Sequence, residues 1–175
     1  LKTLLSEAQL REGVARLAKE VNEHYHDRAL TIVGVLTGSI VLVADVIRQL
    51  TIPLRVGVVQ ARSYRGSATT PGELTINAEM MPDIKGRHVL VVDDIFDTGK
   101  TLHKLMEQLG GLGPQSVRSA VLLRKQGRQV VAMEPDHVVF EIPDAFVVGY
   151  GLDYQDEYRN LPYLAALESA DLETA

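Results

Sequence analysis

Residues 89–101 read Val-Leu-Val-Val-Asp-Asp-Ile-Phe-Asp-Thr-Gly-Lys-Thr. The first four form an apolar run without alternation, the pattern of a strand buried on both faces of a parallel sheet. Two carboxylates, Asp93 and Asp94, follow at once, and a third, Asp97, stands a little further on. Thr98-Gly99-Lys100-Thr101 then leads into a helix-like segment over 102–109, stopped by Gly110-Gly111. The stretch sits where a strand ends and a helix begins, the edge at which parallel sheets bind ligands.

Two kinds of chemistry meet there. Thr98, Gly99, Lys100 and Thr101 offer hydroxyls, a glycine and backbone N–H groups at a helix N-terminus, which together make a phosphate cradle. The acidic pair before them repels phosphate and suits sugar hydroxyls or a metal ion. A site that grips phosphate with one half and vicinal hydroxyls with the other describes a phosphorylated ribose. A bland strand–turn–helix with solvated acids would carry three mutually repelling carboxylates without a ligand. A Walker-type loop needs G-x-x-x-x-G-K-[ST]. Gly99-Lys100-Thr101 supplies its ending, but Asp94 stands where the first glycine belongs.

The 175 residues are enough for one domain with a proper core. The net charge of -5 provides no broad basic surface for nucleic acid. There is no cysteine, which excludes disulfides and thiolate metal sites and suits a reducing compartment. Residues 30–47 are rather apolar, but Thr37, Gly38, Ser39 and Asp45 interrupt them, so no membrane span is expected. The N-terminus lacks the basic-then-apolar order of a signal peptide.

In chain order, Ser6 to Gln9 reads as a capping box. Leu10, Val14, Leu17 and Val21 then recur at helical spacing, predicting a first helix to about Tyr25. His24 and His26 near its end read as exposed residues favoured by the helix dipole rather than as ligands. Buried strands are expected over 32–36 and 54–60, with a turn at 37–39 and an all-round apolar, buried helix over 40–50 between them. This alternation implies parallel pairing. Residues 62–82 are polar and rich in turn residues, the pattern of a long loop or active-site lid. Further strands are expected over 117–123, 138–142 and 146–148, an irregular stretch over 149–159, and a short helix over 161–168.

The thirteen-residue stretch resembles, without a gap, the phosphoribosyl-diphosphate (PRPP) signature of the type I phosphoribosyltransferases. Residues 140–154, with Arg159, Lys125, Ser63-Tyr64 and Leu36-Thr37-Gly38-Ser39, look like the purine-binding end of the hypoxanthine-guanine members. The orotate, uracil and adenine members share the signature but not this C-terminal stretch. The resemblance implies an α/β fold over residues 1–175, with a mainly parallel sheet flanked by helices and a small hood built from the two terminal segments.

It also implies roles. Asp93 and Asp94 hold the ribose hydroxyls, and Asp97 is the general acid/base near purine N7. Thr98, Gly99, Lys100 and Thr101, with Asp97, bind the 5′-phosphate. Leu36, Thr37, Gly38 and Arg159 bind pyrophosphate, and the Leu36–Thr37 peptide bond is cis, or switches to cis, when pyrophosphate or PRPP is bound. Lys125 donates to the purine O6, Phe146 stacks on the base, and the Val147 backbone contacts its edge. Asp153 lies by the purine and joins Asp93 and Asp94 around Mg²⁺. Ser63 and Tyr64 belong to the lid. The implied partners are PRPP, hypoxanthine and guanine, with no nucleic acid or membrane, for a cytoplasmic homodimer or homotetramer. Carboxylates near C1 suit the positive charge that builds as pyrophosphate leaves, and Mg²⁺ suits that anionic leaving group.

Taken alone, Lys125 is a solvated strand-end lysine, Phe146 a core residue and Asp153 a turn acid. Asp93 stands where these purine enzymes commonly have Glu, and Thr37 where a basic residue is common. Two other readings remain: a phosphoribosyltransferase for another base such as xanthine, and a non-catalytic regulator that binds PRPP or purine. A regulator would lose Asp97 or the lid, or carry a DNA-binding extension.

Overall fold

The computed structural model describes residues 1–63 and 74–172. The elements in order are β1 (Lys2–Leu5), α1 (Glu7–Tyr25), β2 (Leu30–Leu36), α2 (Ile40–Ile47), β3 (Leu54–Ser63), β4 (Leu74–Asn77), β5 (His88–Phe96) and α3 (Lys100–Gly110), followed by β6 (Ser116–Lys125), β7 (His137–Ile142), β8 (Val147–Val148), β9 (Leu164–Ala166) and α4 (Ser169–Leu172). Six strands form the main sheet in the order β4-β3-β2-β5-β6-β7. All its pairs are parallel except β3 with β4.

The central strand explains the unbroken apolar run. Leu90 and Val92 of β5 pack in one core with Leu10, Val14, Leu17 and Val21 of α1 and Leu42, Val43 and Val46 of α2. Val89 and Val91 point the other way, into a core with Leu102, Leu105 and Leu109 of α3. Neither face can be polar, so the alternation of a half-exposed strand disappears. Helix α1 starts where expected. The Ser6 hydroxyl accepts from the Gln9 N–H, and the Gln9 side chain accepts from the Ser6 N–H.

The sheet order positions the site. From β2 the chain moves outward to β3, whereas from β5 it moves the opposite way to β6. The crevice between β2 and β5 is thus the topological switch point, where an open α/β sheet receives its ligand. Thr37-Gly38 follows Leu36 at the end of β2 and Asp97-Thr98-Gly99 follows β5, so both loops flank that crevice.

A second sheet, β1-β9-β8, is antiparallel and joins the two ends of the chain into the expected hood. It corrects the helix expected over 161–168. Leu164, Ala165 and Ala166 are good helix formers, yet all three are buried as a strand between β1 and β8. Pairing with a segment from the far end of the chain overrides local propensity. Three other expectations change. Helix α2 ends at Ile47 rather than residue 50, and Ile40 at its start is half exposed, so it is buried on one side only. The strand expected from Phe146 begins at Val147. The long polar segment contains β4, whose Asn77 lies opposite Gln60 of β3. Of the expected lid, residues 64–73 lie outside the described residues.

Among the described residues, no helix is long and apolar enough to cross a membrane.

Candidate active site

Helix α3 begins at the end of β5 because Gly99 adopts φ 87°, a left-handed conformation that a side chain would resist. A Cβ there would also lie 2.6 Å from the Phe96 ring and 2.4 Å from Val131. The turn is tight enough to aim the first N–H groups of α3, which have no carbonyl one turn back, at the crevice. Thr98 Oγ1 accepts from the Lys100 N–H at 3.4 Å.

Asp93 and Asp94 enter the crevice from β5. The Asp94 N–H donates to Asp93 Oδ1 at 2.9 Å, and the Ile95 N–H donates to Asp94 Oδ1 at 2.8 Å. Burial, and next the neighbouring Asp94 charge, push the Asp93 carboxyl well above its usual range. Burial also raises Asp94. The folded chain therefore keeps the Asp93 proton to higher pH than the unfolded chain. Stability falls as pH rises from the ordinary carboxyl range toward the raised value.

Asp93→Asn should consequently raise the thermal midpoint near about pH 8, by roughly 2–4 °C for each kcal/mol of repulsion removed. The advantage should fade below about pH 4, where the carboxyl is neutral in both states. Thermal melts across pH check this, and an equal or lower midpoint near pH 8 would contradict the buried-charge account.

Opposite the pair, the Leu36–Thr37 peptide bond is cis, as the resemblance implies. Gly38 lies so close to the acids that a Cβ on it would stand 1.8 Å from Asp94 Oδ2. Its other side meets Gly151, whose own Cβ would stand 2.4 Å from the Gly38 carbonyl oxygen. Gly151 belongs to an irregular segment with left-handed residues at Tyr150, Gln155, Asp156 and Tyr158. Arg159 braces it, donating to the Gly151 carbonyl at 2.8 Å and pairing with Asp153 at 2.9 Å. The Tyr150 hydroxyl ties the segment to α2 by donating to Asp45 at 2.6 Å.

These pieces enclose a cavity of about 330 Å³. Of the expected residues, Leu36, Thr37, Gly38, Asp93, Asp94, Asp97, Thr98, Gly99, Thr101, Asp153 and Arg159 line it. Lys100 is exposed at the start of α3 and does not. Lys125 reaches the rim through Asp97, with Nζ 3.7 Å from Asp97 Oδ2. Phe146 also lies outside the lining, half exposed, with its ring edge-to-face on Tyr154 at 5.4 Å. Val147 is in β8, buried in the hood. Ser63 ends β3, and Tyr64 lies outside the described residues.

Several neighbours of the site are residues to which the sequence assigned no role. Arg128 donates from Nε to Asp97 Oδ1 at 2.9 Å, and Asp144 stands 3.8 Å from Lys125. Val131 packs on Gly99. Among the described residues no group of three or more carboxylates or histidines is arranged to hold a metal by itself.

The phosphoribosyl transferase domain family model matches residues 1–155. The hypoxanthine-guanine phosphoribosyltransferase of Streptococcus pneumoniae is 38% identical over 167 residues, covering 95% of this chain and 93% of that protein. The hypoxanthine phosphoribosyltransferase of Salmonella typhimurium is 37% identical, covering 98% and 97%. A crystal structure of a hypoxanthine-guanine phosphoribosyltransferase from Bacillus anthracis superposes with a TM-score of 0.90 at 36% identity, covering 96% of this chain and 99% of that one. With a tight loop at the start of α3, an acid pair at the end of β5 and a glycine-lined crevice at the switch point of the same fold, the chain belongs to the phosphoribosyltransferase family, among its hypoxanthine-guanine members.

Proposed function

We propose that the protein transfers the phosphoribosyl group of PRPP to N9 of hypoxanthine or guanine, giving IMP or GMP and pyrophosphate. The observation that carries this reading is the convergence of the Thr98–Thr101 loop, the Asp93–Asp94 pair and Gly38 on one cavity, with Lys125 beside Asp97 at its rim.

In this reading the N-terminus of α3 and the Thr98 and Thr101 hydroxyls hold the 5′-phosphate, with Lys100 adding charge from outside the cavity. Asp93 and Asp94 accept from the ribose hydroxyls. Purine N9 attacks C1, and the C1–O bond to pyrophosphate breaks with its electron pair leaving on that oxygen. The proton on N7 passes to Asp97. The carboxylates stabilise the positive charge that C1 develops. The pyrophosphate lies against the Leu36, Thr37 and Gly38 backbone and Arg159. Phe146 covers one face of the base, the Val147 backbone meets its edge, and Ser63 and Tyr64 help to close the site.

Mg²⁺ fits the donor set, which is all oxygen. Asp93, Asp94 and Asp153 would hold it, and Asp153 is already engaged by Arg159. So few protein ligands suit an ion held largely by substrate oxygens, whose role is to offset the charge of the leaving pyrophosphate. The family resemblance supports one phosphoribosyltransferase domain over 1–175, working in the cytoplasm as a homodimer or homotetramer.

Base choice tests the reading. The Lys125 ammonium has only donors, so it suits a purine carbonyl and opposes the amino group of adenine. Lys125→Ala should reduce kcat/KM for hypoxanthine and guanine by roughly 10–100-fold, the scale of a lost hydrogen bond from a charged group. PRPP affinity, measured by calorimetry, should stay nearly unchanged. Efficient use of adenine by the unmutated protein would overturn this assignment.

A further inference from the structure

We infer that Arg128 is a positioning residue for the transfer: it holds one oxygen of Asp97 so that the other is presented to the purine. This rests on the reading of Asp97 as the acid/base.

The two oxygens of Asp97 have different partners. Oδ1 accepts from Arg128 Nε at 2.9 Å, a hydrogen-bonded ion pair. Oδ2 faces Lys125 Nζ at 3.7 Å, too far for a hydrogen bond. Asp144 lies between the same two cations, 3.8 Å from Lys125 and 3.9 Å from Arg128. Lys125 is thus shared between two carboxylates and can move to a purine oxygen without leaving either one bare. Arg128 has a directional bond to one of them.

The segment that carries Arg128 is fastened to the parts it must serve. The Gln126 N–H donates to the Ile142 carbonyl at 3.0 Å. The Val130 N–H donates to the Thr98 carbonyl at 3.0 Å, inside the phosphate loop itself. Val131 packs on Gly99 at the start of α3. Gln129 closes the turn on itself by donating to the Val131 and Met133 carbonyls. The guanidinium therefore projects from a backbone pinned to the phosphate loop on one side and to the end of β7 on the other. A planar donor on such a base fixes the direction of a carboxylate better than a flexible ammonium can. Oδ2 is then the oxygen aimed at N7, free once Lys125 turns to O6. Asp97 need not find its orientation after substrate arrives, and small misplacements of a reacting group cost rate rather than affinity.

The test compares Arg128→Ala, Arg128→Lys and Asp97→Asn in steady-state assays with PRPP, Mg²⁺ and hypoxanthine. Arg128→Ala should lower kcat about 10–100-fold while KM for PRPP changes little. Added guanidinium ion should restore part of that kcat, and Arg128→Lys should fall between. In the Asp97→Asn background Arg128→Ala should cost almost nothing more. Full activity of Arg128→Ala beside an inactive Asp97→Asn would overturn the inference and leave the acid/base reading standing. Near-normal turnover by Asp97→Asn would remove both. A rise in KM for PRPP without rescue by guanidinium would make Arg128 a prop or ligand of the phosphate loop, and would also overturn it.

Discussion

Asp97→Asn is expected to lower kcat by roughly 10²–10⁴, the usual contribution of a positioned proton-transfer group, with little change in PRPP affinity. The substitution keeps the shape of the side chain and one oxygen to accept from Arg128 Nε. It removes the ability to take a proton. Asp97 stands where the end of β5 meets the loop before α3, so in the proposed reading its charge also faces the 5′-phosphate. Removing that charge relieves a repulsion, and PRPP should bind at least as well. Stopped-assay kcat and calorimetric PRPP affinity separate the two effects. A variant with near-normal turnover would remove Asp97 from the mechanism.

Gly38→Val should weaken pyrophosphate and PRPP binding by about 10²-fold or more while the fold survives. Any Cβ at this position stands 1.8 Å from Asp94 Oδ2 and 2.6 Å from its carboxyl carbon. Asp94 cannot simply retreat, since its other oxygen is held by the Ile95 N–H. The loop cannot retreat either, because Gly151 packs against the Gly38 carbonyl from the other side. The variant must displace the acid, the loop at 36–38, or both. The residue lies in the turn before α2, outside the two main cores, so the thermal midpoint should change far less than affinity. Thr37→Lys serves as the contrast: it adds a charge at the neighbouring position without the clash and should change pyrophosphate affinity modestly. Calorimetry with pyrophosphate and Mg²⁺ on both variants checks the pair. Ordinary affinity in Gly38→Val would contradict the close-approach account.

Much of this architecture was legible locally. An unalternating run such as residues 89–92 has one physical reading, a strand covered on both faces, and the loop chemistry that follows it places a ligand at its end. The capping box at Ser6 and the spacing of Leu10, Val14, Leu17 and Val21 defined α1 for the same reason, since each depends on neighbours within a turn or two. What sequence could not show is set by distant partners. Leu164-Ala165-Ala166 is a strand because β1 and β8 lie on either side of it. The segment around Asn77 becomes β4 because β3 extends to meet it. Arg128 follows a turn glycine in a polar stretch, where nothing local distinguishes it from a solvated arginine. Its meaning comes from the Thr98 and Ile142 carbonyls, which fix the segment that carries it. Gly38 was readable as part of the loop after β2 that lines the crevice, but not that Asp94 stands against it.

The most direct test of the account is to mix the protein with PRPP and Mg²⁺ and offer hypoxanthine, guanine, xanthine or adenine in turn, measuring nucleotide and pyrophosphate together. The account predicts IMP or GMP in equal amounts with pyrophosphate from hypoxanthine or guanine, and almost none from adenine. Binding of PRPP without nucleotide formation from any of the four bases, or efficient formation of AMP, would contradict it.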